Sequence, residues 1–270
     1  MSGLKIIDIV KRSFNLLKKD PALIALFILP AMFPIERIIA NYLMLFIISS
    51  MLGRSEILFV PSSMPPIPFQ VIYLTVGFLL GVWASATAIL KVTELEKGSK
   101  LGLKEALFGG LKRIPKLLVR AIVGLALYSV MRSGMAIAIS QCMFLAMGSP
   151  AEAAVSSNAA VVFLIVVALS MLVAGLYVAV RLRLSAPACV MENNFGLTTS
   201  WKLVKGNWWK IFAIFLLIFG TMSALISQIP IIGVYLSSMI VEPLAITAAT
   251  LIYFRLREAK PSGEEGGGIH

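Results

Sequence analysis

One pattern recurs three times along this chain: a basic amphipathic stretch, a turn, and an apolar run long enough to cross a membrane. The matching segments are 13–21, 108–115 and 200–208, related by offsets of 94 and then 93 residues. A repeat of fixed period constrains the fold strongly, because each copy is expected to form the same unit. We therefore expect an all-α fold of three helical hairpins, each preceded by a cytoplasmic amphipathic helix.

Composition places these hairpins in a membrane. Hydrophobic residues make up 59% of the chain and charged residues 14%, against roughly 45–50% and 25% in soluble domains. Six runs reach the length of about twenty apolar residues that a spanning helix needs. They lie at 22–52, 69–91, 116–147, 159–182, 208–228 and 232–254.

We expect one transmembrane domain over residues 1–260. Its repeats would cover about 1–93, 94–187 and 188–260. The tail at 261–270 is rich in Gly and Glu and cannot bury a core, so it is expected to be disordered.

The loop charges predict the orientation. Basic residues crowd the segments 5–19, 91–116, 181–210 and 255–260, whereas Arg54 alone lies in the loops between them. Since loops rich in Lys and Arg stay in the cytoplasm, both termini are expected there, in a protein integral to the cell membrane. Orientation in the bilayer also explains the net charge of +11, so no nucleic-acid partner is expected.

The basic stretches are expected to lie in the headgroup plane. In the first stretch apolar residues recur at helical spacing, at Ile6, Ile7, Val10, Phe14 and Leu17, as in an interfacial helix. The expected headgroup contacts of the three stretches are Lys11, Arg12, Lys18, Lys19, Lys112, Arg113, Lys202, Lys205, Trp208 and Trp209.

Small residues recur in the second run, at Gly77, Gly81, Ala84 and Ala88. This spacing predicts close packing against a neighbouring helix.

Four ionisable residues interrupt the apolar runs and form a candidate intramembrane polar site: Glu36, Arg37, Arg132 and Glu242. Counted from the cytoplasmic helix ends, all four reach a depth of roughly 20–25 Å. Two interpretations stand: mutual pairing or snorkelling of structural residues, and a ligand or ion site. For Glu242 we expect an ion pair with Arg132 or Arg37. Arg120 is expected to snorkel to the cytoplasmic face, and Glu192 either to cap the next helix or to contact a lipid headgroup.

The chain offers little for catalysis. Its single histidine is His270, in the tail, so no serine has a histidine to activate it, and HExxH and Walker A motifs are absent. Cys142 and Cys189 fall on opposite sides of the predicted topology, and no cysteine–histidine cluster suggests a metal. We therefore expect no enzyme activity, no catalytic residue, no metal and no cofactor.

The segment 187–209 resembles the signature of the YciC-like superfamily. It reads Pro-Ala-Cys-Val-Met-Glu at 187–192, then Gly196, then Ser-Trp-Lys-Leu-Val-Lys-Gly-Asn-Trp-Trp at 200–209. This superfamily includes the membrane domain attached to some glycerophosphodiester phosphodiesterases. The resemblance implies a six-helix membrane module of largely uncharacterised function. It does not carry the phosphodiesterase activity, which belongs to a separate soluble barrel.

Two functions fit these patterns. The first is a non-enzymatic membrane module that binds anionic lipid or a partner protein through its basic cytoplasmic face. The alternative is a small transporter or channel that uses the charged intramembrane site. Membrane lipids are the expected partners, together with a protein partner or further copies of the chain.

Overall fold

The computed structural model describes residues 5–33, 67–99, 101–148, 154–192, 195–229 and 233–259. Within these ranges the structure consists of helices joined by turns, and it contains no strand. The helices are α1 (Ile6–Lys19), α2 (Ala22–Ala25), α3 (Ile28–Ala31), α4 (Ile67–Glu96), α5 (Leu103–Gly148), α6 (Ala154–Glu192), α7 (Leu197–Val204), α8 (Trp208–Phe215), a π-helical segment (Leu216–Met222), α9 (Ser223–Ser227) and α10 (Gly233–Glu258).

Four stretches of these helices are long and apolar enough to cross a membrane: Val71–Glu96, Val162–Glu192, Trp208–Ile226 and Tyr235–Glu258. They agree with four of the six predicted runs. Most of the run at 22–52 lies outside the described residues, and the run at 116–147 lies within α5, whose side chains beyond 127 are not described. Six spans arranged as repeated hairpins remain a prediction.

The chain divides into two compact units. One comprises Met1–Met32, Leu79–Ala121 and Val180–His270; the other comprises Phe33–Phe78 and Ile122–Ala179. In the first unit α10 is the central helix, and α1, α2, α3, α7, α8 and α9 pack on it. Its side chains Leu244, Ile252 and Tyr253 are fully buried. These side chains lie in a candidate membrane span. Because lipid is as apolar as they are, close van der Waals packing and interhelical hydrogen bonds hold the helices together.

The second unit exposes apolar side chains. On α6, Phe163 is 67% exposed and Val173 is 62% exposed. In the same unit the rings of Phe33 and Tyr73 are in contact, with centroids 4.6 Å apart. Such exposed apolar surface is what a lipid-facing helix presents.

Helix α6 is longer than the sequence suggested. The predicted apolar run ends at residue 182, whereas the helix continues to Glu192 through Pro187. Its 39 residues correspond to about 58 Å, against a hydrocarbon core of about 30 Å. The additional turns are buried from Leu184 to Val190, so protein contacts rather than lipid hold them helical.

Helix α1 is confirmed, although its buried face differs from the predicted one. Ile9, Ser13, Leu16 and Leu17 are buried, whereas Ile7 is 78% exposed. The face is shifted because α1 packs on α10 and α8 rather than on lipid alone. The hydroxyl of Ser13, which faces this packing, donates to the carbonyl of Ile9 at 2.8 Å and so is satisfied within the helix.

The three copies of the repeat differ in their turns. In the first copy α1 stops before Pro21, and in the third α7 and α8 are separated by 205–207, with Gly206 at φ +87°. In the second copy the predicted separate amphipathic helix is wrong, because α5 runs unbroken through Pro115. Proline costs about 3 kcal/mol inside a helix, so packing on both sides of Pro115 must compensate.

That packing is visible between α4 and α5. The indole nitrogen of Trp83 donates to the carbonyl of Leu107 at 3.0 Å. Gly110 lies against Thr87 so closely that a Cβ at position 110 would be 3.1 Å from the Thr87 amide nitrogen. Ala84 and Ala88 are buried as the small-residue spacing predicted, whereas a Cβ at Gly81 would meet nothing within 4 Å among the residues described.

Candidate functional site

The C-terminal turns of α6 carry a polar network centred on Glu192. One of its carboxylate oxygens accepts a hydrogen bond from the Tyr253 hydroxyl of α10 at 2.5 Å, and the other accepts one from the Thr199 hydroxyl of α7 at 2.6 Å. Arg257 lies 4.0 Å from the same carboxylate and donates to the Tyr253 hydroxyl at 3.2 Å. The predicted capping role of Glu192 is therefore replaced by side-chain bonds that join three helices.

Two further contacts fasten α7 to α6. The Ser200 hydroxyl donates to the carbonyl of Arg181, and the Arg181 guanidinium lies over the Trp201 ring at 4.0 Å from its centroid. Gly196 starts α7 in the left-handed region at φ +65°, and a Cβ there would lie 2.5 Å from the amide nitrogen of Cys189. Only glycine lets the chain reverse this close to α6.

Glu242 is paired with Arg183, at 3.0 Å. The Arg183 guanidinium also lies 4.6 Å from the centroid of Phe219, in the π-helical segment. We expected Arg37 or Arg132 as the partner; Arg37 lies outside the described residues and the side chain of Arg132 is not described. Arg183 was not among the expected partners because it lies just beyond residue 182, where the predicted apolar run ends.

The two contacts between α6 and α10 fix their relative direction. Arg183 meets Glu242, and Glu192 meets Tyr253 further along both helices. The contacts are 9 residues apart on α6 and 11 apart on α10, or about 14–17 Å. The two helices therefore run parallel, as expected of the second helices of two hairpins.

Arginines of α5 complete the attachment of α6. Arg120 donates to the Ser185 hydroxyl at 2.7 Å and to the carbonyl of Leu182. Arg113 donates to the carbonyl of Val190 at 3.2 Å. The prediction that Arg120 snorkels to the cytoplasmic face is wrong, since the extended α6 offers it oxygen acceptors within the first unit.

Helix α1 and the residue that follows it are held to α4 by two ion pairs. Arg12 bonds the Glu96 carboxylate through two nitrogens, at 2.5 and 3.0 Å. Lys91 bonds Asp20 at 2.5 Å, and both side chains are largely buried. Asp20 also accepts from the amide of Ala22 at 3.2 Å, which stabilises the turn before α2.

Positive charge dominates the exposed surface of the first unit. Six of the eight carboxylates in the described ranges have a Lys or Arg partner within 4.0 Å. By contrast, nine exposed lysines have no carboxylate within that distance among the residues described. We call them the basic surface: Lys5, Lys11, Lys18, Lys19, Lys104, Lys112, Lys202, Lys205 and Lys210.

The structure sorts the predicted headgroup contacts into two groups. Six lysines of the prediction belong to the basic surface, and Trp209 is 75% exposed. Arg12 and Arg113 instead bind α4 and α6, and the Trp208 ring stacks on Phe212 at 5.0 Å. Lys5, Lys104 and Lys210 also belong to the basic surface, although they were not among the predicted contacts. The signal that could have found Lys210 is the absence of any acidic residue between Glu192 and Glu242.

The predicted intramembrane site is described only in part. Glu36 and Arg37 lie outside the described residues, and for Arg132 only the backbone is described, within α5. Glu242 is the one member whose side chain can be placed, and it pairs with Arg183, whose guanidinium lies over the Phe219 ring.

No protein-family model, curated protein or solved structure matches this chain.

Proposed function

We propose that this protein is a non-enzymatic integral membrane module that binds anionic lipid through its basic surface. The observation that carries the proposal is the unequal use of charge in the first unit. Among the described residues, carboxylates there are mostly bound to the protein's own cations, whereas nine exposed lysines have no carboxylate within 4.0 Å and can meet an external anion. Each lysine near an anionic bilayer surface contributes roughly 1 kcal/mol.

The aromatic and apolar side chains beside these lysines support a lipid surface as the anion. Trp209 is 75% exposed and Ile7 is 78% exposed. A lysine whose neighbours include exposed Trp or Ile suits the boundary between headgroups and acyl chains, where indole rings concentrate. The resemblance to the YciC-like superfamily, part of which serves as a membrane attachment, points the same way.

We place the protein in the cell membrane with both termini on the cytoplasmic side, so that the basic surface meets the inner leaflet. Single cysteines tested with a membrane-impermeant thiol reagent on intact cells provide the check. Positions 62 and 154 should be labelled from outside, whereas positions 100 and 260 should react only after the membrane is opened. The reverse pattern would refute this orientation.

Thermal unfolding of the full-length protein in a neutral detergent tests the lipid proposal. Phosphatidylglycerol should raise the unfolding temperature more than phosphatidylcholine does, because a ligand of the folded state stabilises it by mass action. The difference should shrink between 50 and 500 mM NaCl, roughly the range over which screening becomes strong. An equal effect of the two lipids at both salt concentrations would exclude the proposal and favour a partner protein.

One observation favours the alternative of a small transporter or channel. The Arg183–Glu242 pair lies in two candidate spans, beside a π-helical segment, with each side chain about one third exposed. Charged pairs within spans and π-helical segments are both frequent at functional sites. Ion flux into proteoliposomes that Glu242→Gln abolishes would support this alternative; flux equal to that of protein-free liposomes would remove it.

A further inference from the structure

The link between α7 and α8 is surrounded by three lysines and carries no acidic residue. We call residues 202–210 the elbow. We infer that the elbow is the site that recognises the headgroup of an anionic phospholipid, with Lys202, Lys205 and Lys210 binding the phosphate region and Trp209 entering the adjoining lipid. This inference rests on the proposed function and assigns it to one of the basic segments.

The elbow combines exposed lysines with an absence of nearby acids along the chain. Lys202, Lys205 and Lys210 are all exposed, and residues 193–241 include no Asp or Glu. The other basic segments are partly neutralised: α1 carries Asp8, and the start of α5 carries Glu105. Along the chain, the positive charge of the basic surface is therefore least offset by acidic residues at the elbow.

Exposed indole rings flank the elbow lysines. Trp209 is 75% exposed and meets Trp208 edge-on, at a centroid distance of 4.6 Å. Trp208 in turn stacks on Phe212 with an interplanar angle of 6°. The inner ring thus supports the outer one, which has the amphipathic character that favours the headgroup boundary.

The elbow is also anchored before any lipid arrives. Thr199 bonds Glu192 at 2.6 Å, Ser200 bonds the carbonyl of Arg181, and Trp201 stacks on the Arg181 guanidinium. Gly206 makes the turn at φ +87°, and a Cβ there would meet nothing within 4 Å of the residues described. A binding group held in place by folding loses less conformational entropy on binding.

Two variants of equal charge change test the inference. In the full-length protein in neutral detergent, Lys202, Lys205 and Lys210 are changed together to Gln; the control changes Lys11, Lys18 and Lys19 to Gln. All six side chains are exposed, so both variants should fold. Titration of phosphatidylglycerol, followed by thermal unfolding, should give an apparent Kd at least about tenfold weaker for the elbow variant. The control should also weaken the affinity, because its lysines belong to the basic surface, but clearly less than the elbow variant.

A second pair of variants examines the aromatic part. Trp209→Ala should weaken the apparent affinity for phosphatidylglycerol, and Trp209→Phe should restore part of it. Inorganic phosphate alone should not stabilise the wild-type protein. Stabilisation by phosphate equal to that by the lipid would overturn the assignment to a phospholipid in favour of a free phosphate ligand.

The outcomes distinguish failure of the elbow assignment from failure of the proposed function. If the wild-type protein prefers phosphatidylglycerol and both lysine variants lose affinity equally, the proposed function stands and the elbow assignment is overturned. The same holds if the α1 control loses more than the elbow variant. If the wild-type protein shows no preference for phosphatidylglycerol over phosphatidylcholine, the proposed function fails and the elbow assignment fails with it.

Discussion

Replacing Gly110 by Ala should destabilise the protein, although alanine is the better helix former. The substitution adds a methyl group where α5 meets α4. That methyl carbon would clash with the Thr87 hydroxyl and would lie 3.1 and 3.2 Å from the Thr87 amide nitrogen and Cα. Backbone atoms of a helix cannot rotate away as a side chain can, so one of the two helices must shift.

Gly81→Ala provides the matched control. Gly81 also lies inside a helix, and a Cβ there meets nothing within 4 Å among the residues that the structure describes. Both substitutions gain the same helix propensity, about 1 kcal/mol, so this gain cancels when the two variants are compared. The difference in unfolding free energy then measures the overpacking at Thr87, which should be about 1–3 kcal/mol.

The assay is equilibrium unfolding of the detergent-solubilised protein, with wild type, Gly81→Ala and Gly110→Ala measured side by side. Thr87→Ala removes the nearest clashing atom, at the loss of one hydrogen bond to the Trp83 carbonyl. The double variant Thr87→Ala with Gly110→Ala should recover part of the unfolding free energy that Gly110→Ala loses. Such a recovery is the coupling expected of two residues in contact. Equal stability of Gly110→Ala and Gly81→Ala would refute the close packing of α4 on α5.

Two further predictions concern the carboxylates of the first unit. Glu192→Gln should lower the unfolding free energy by about 1.5–3 kcal/mol, because hydrogen bonds to a charged group are lost; Glu258→Gln, whose side chain is 67% exposed, should change little, and equal losses would contradict the network. Glu242→Gln should cost about 1–2 kcal/mol, since both partners of the pair are about one third exposed. Adding Arg183→Met should then recover part of that loss, and strict additivity in a double-mutant cycle would count against a direct pair.

Several features of the fold could be predicted from the sequence because they depend on local periodicity and composition. The apolar runs predicted the four candidate spans, and the 3.6-residue spacing predicted α1. Pro21 and Gly206 follow the ends of α1 and α7, since proline and a left-handed glycine interrupt a helix through the properties of their own backbone. The basic surface was also largely visible, because exposed lysines need no tertiary partner.

Tertiary packing decided what local rules leave open. Pro115 and Pro187 lie inside continuous helices, because the contacts of Trp83, Gly110 and Arg120 on either side outweigh the local cost of proline. The extension of α6 to Glu192 then set the partners of the charged residues. Among the described residues Arg183, just beyond the predicted end of its run, pairs with Glu242.

Charge pairing between distant segments has no signature in a single sequence. Glu192 and Tyr253 are 61 residues apart, and Arg12 and Glu96 are 84 apart. The lysines that remain available to an anion are therefore the ones that do not take part in such contacts. The sequence determines the number and location of the basic residues; the fold decides which of them are left to bind, because an ion pair depends on distance in space rather than along the chain.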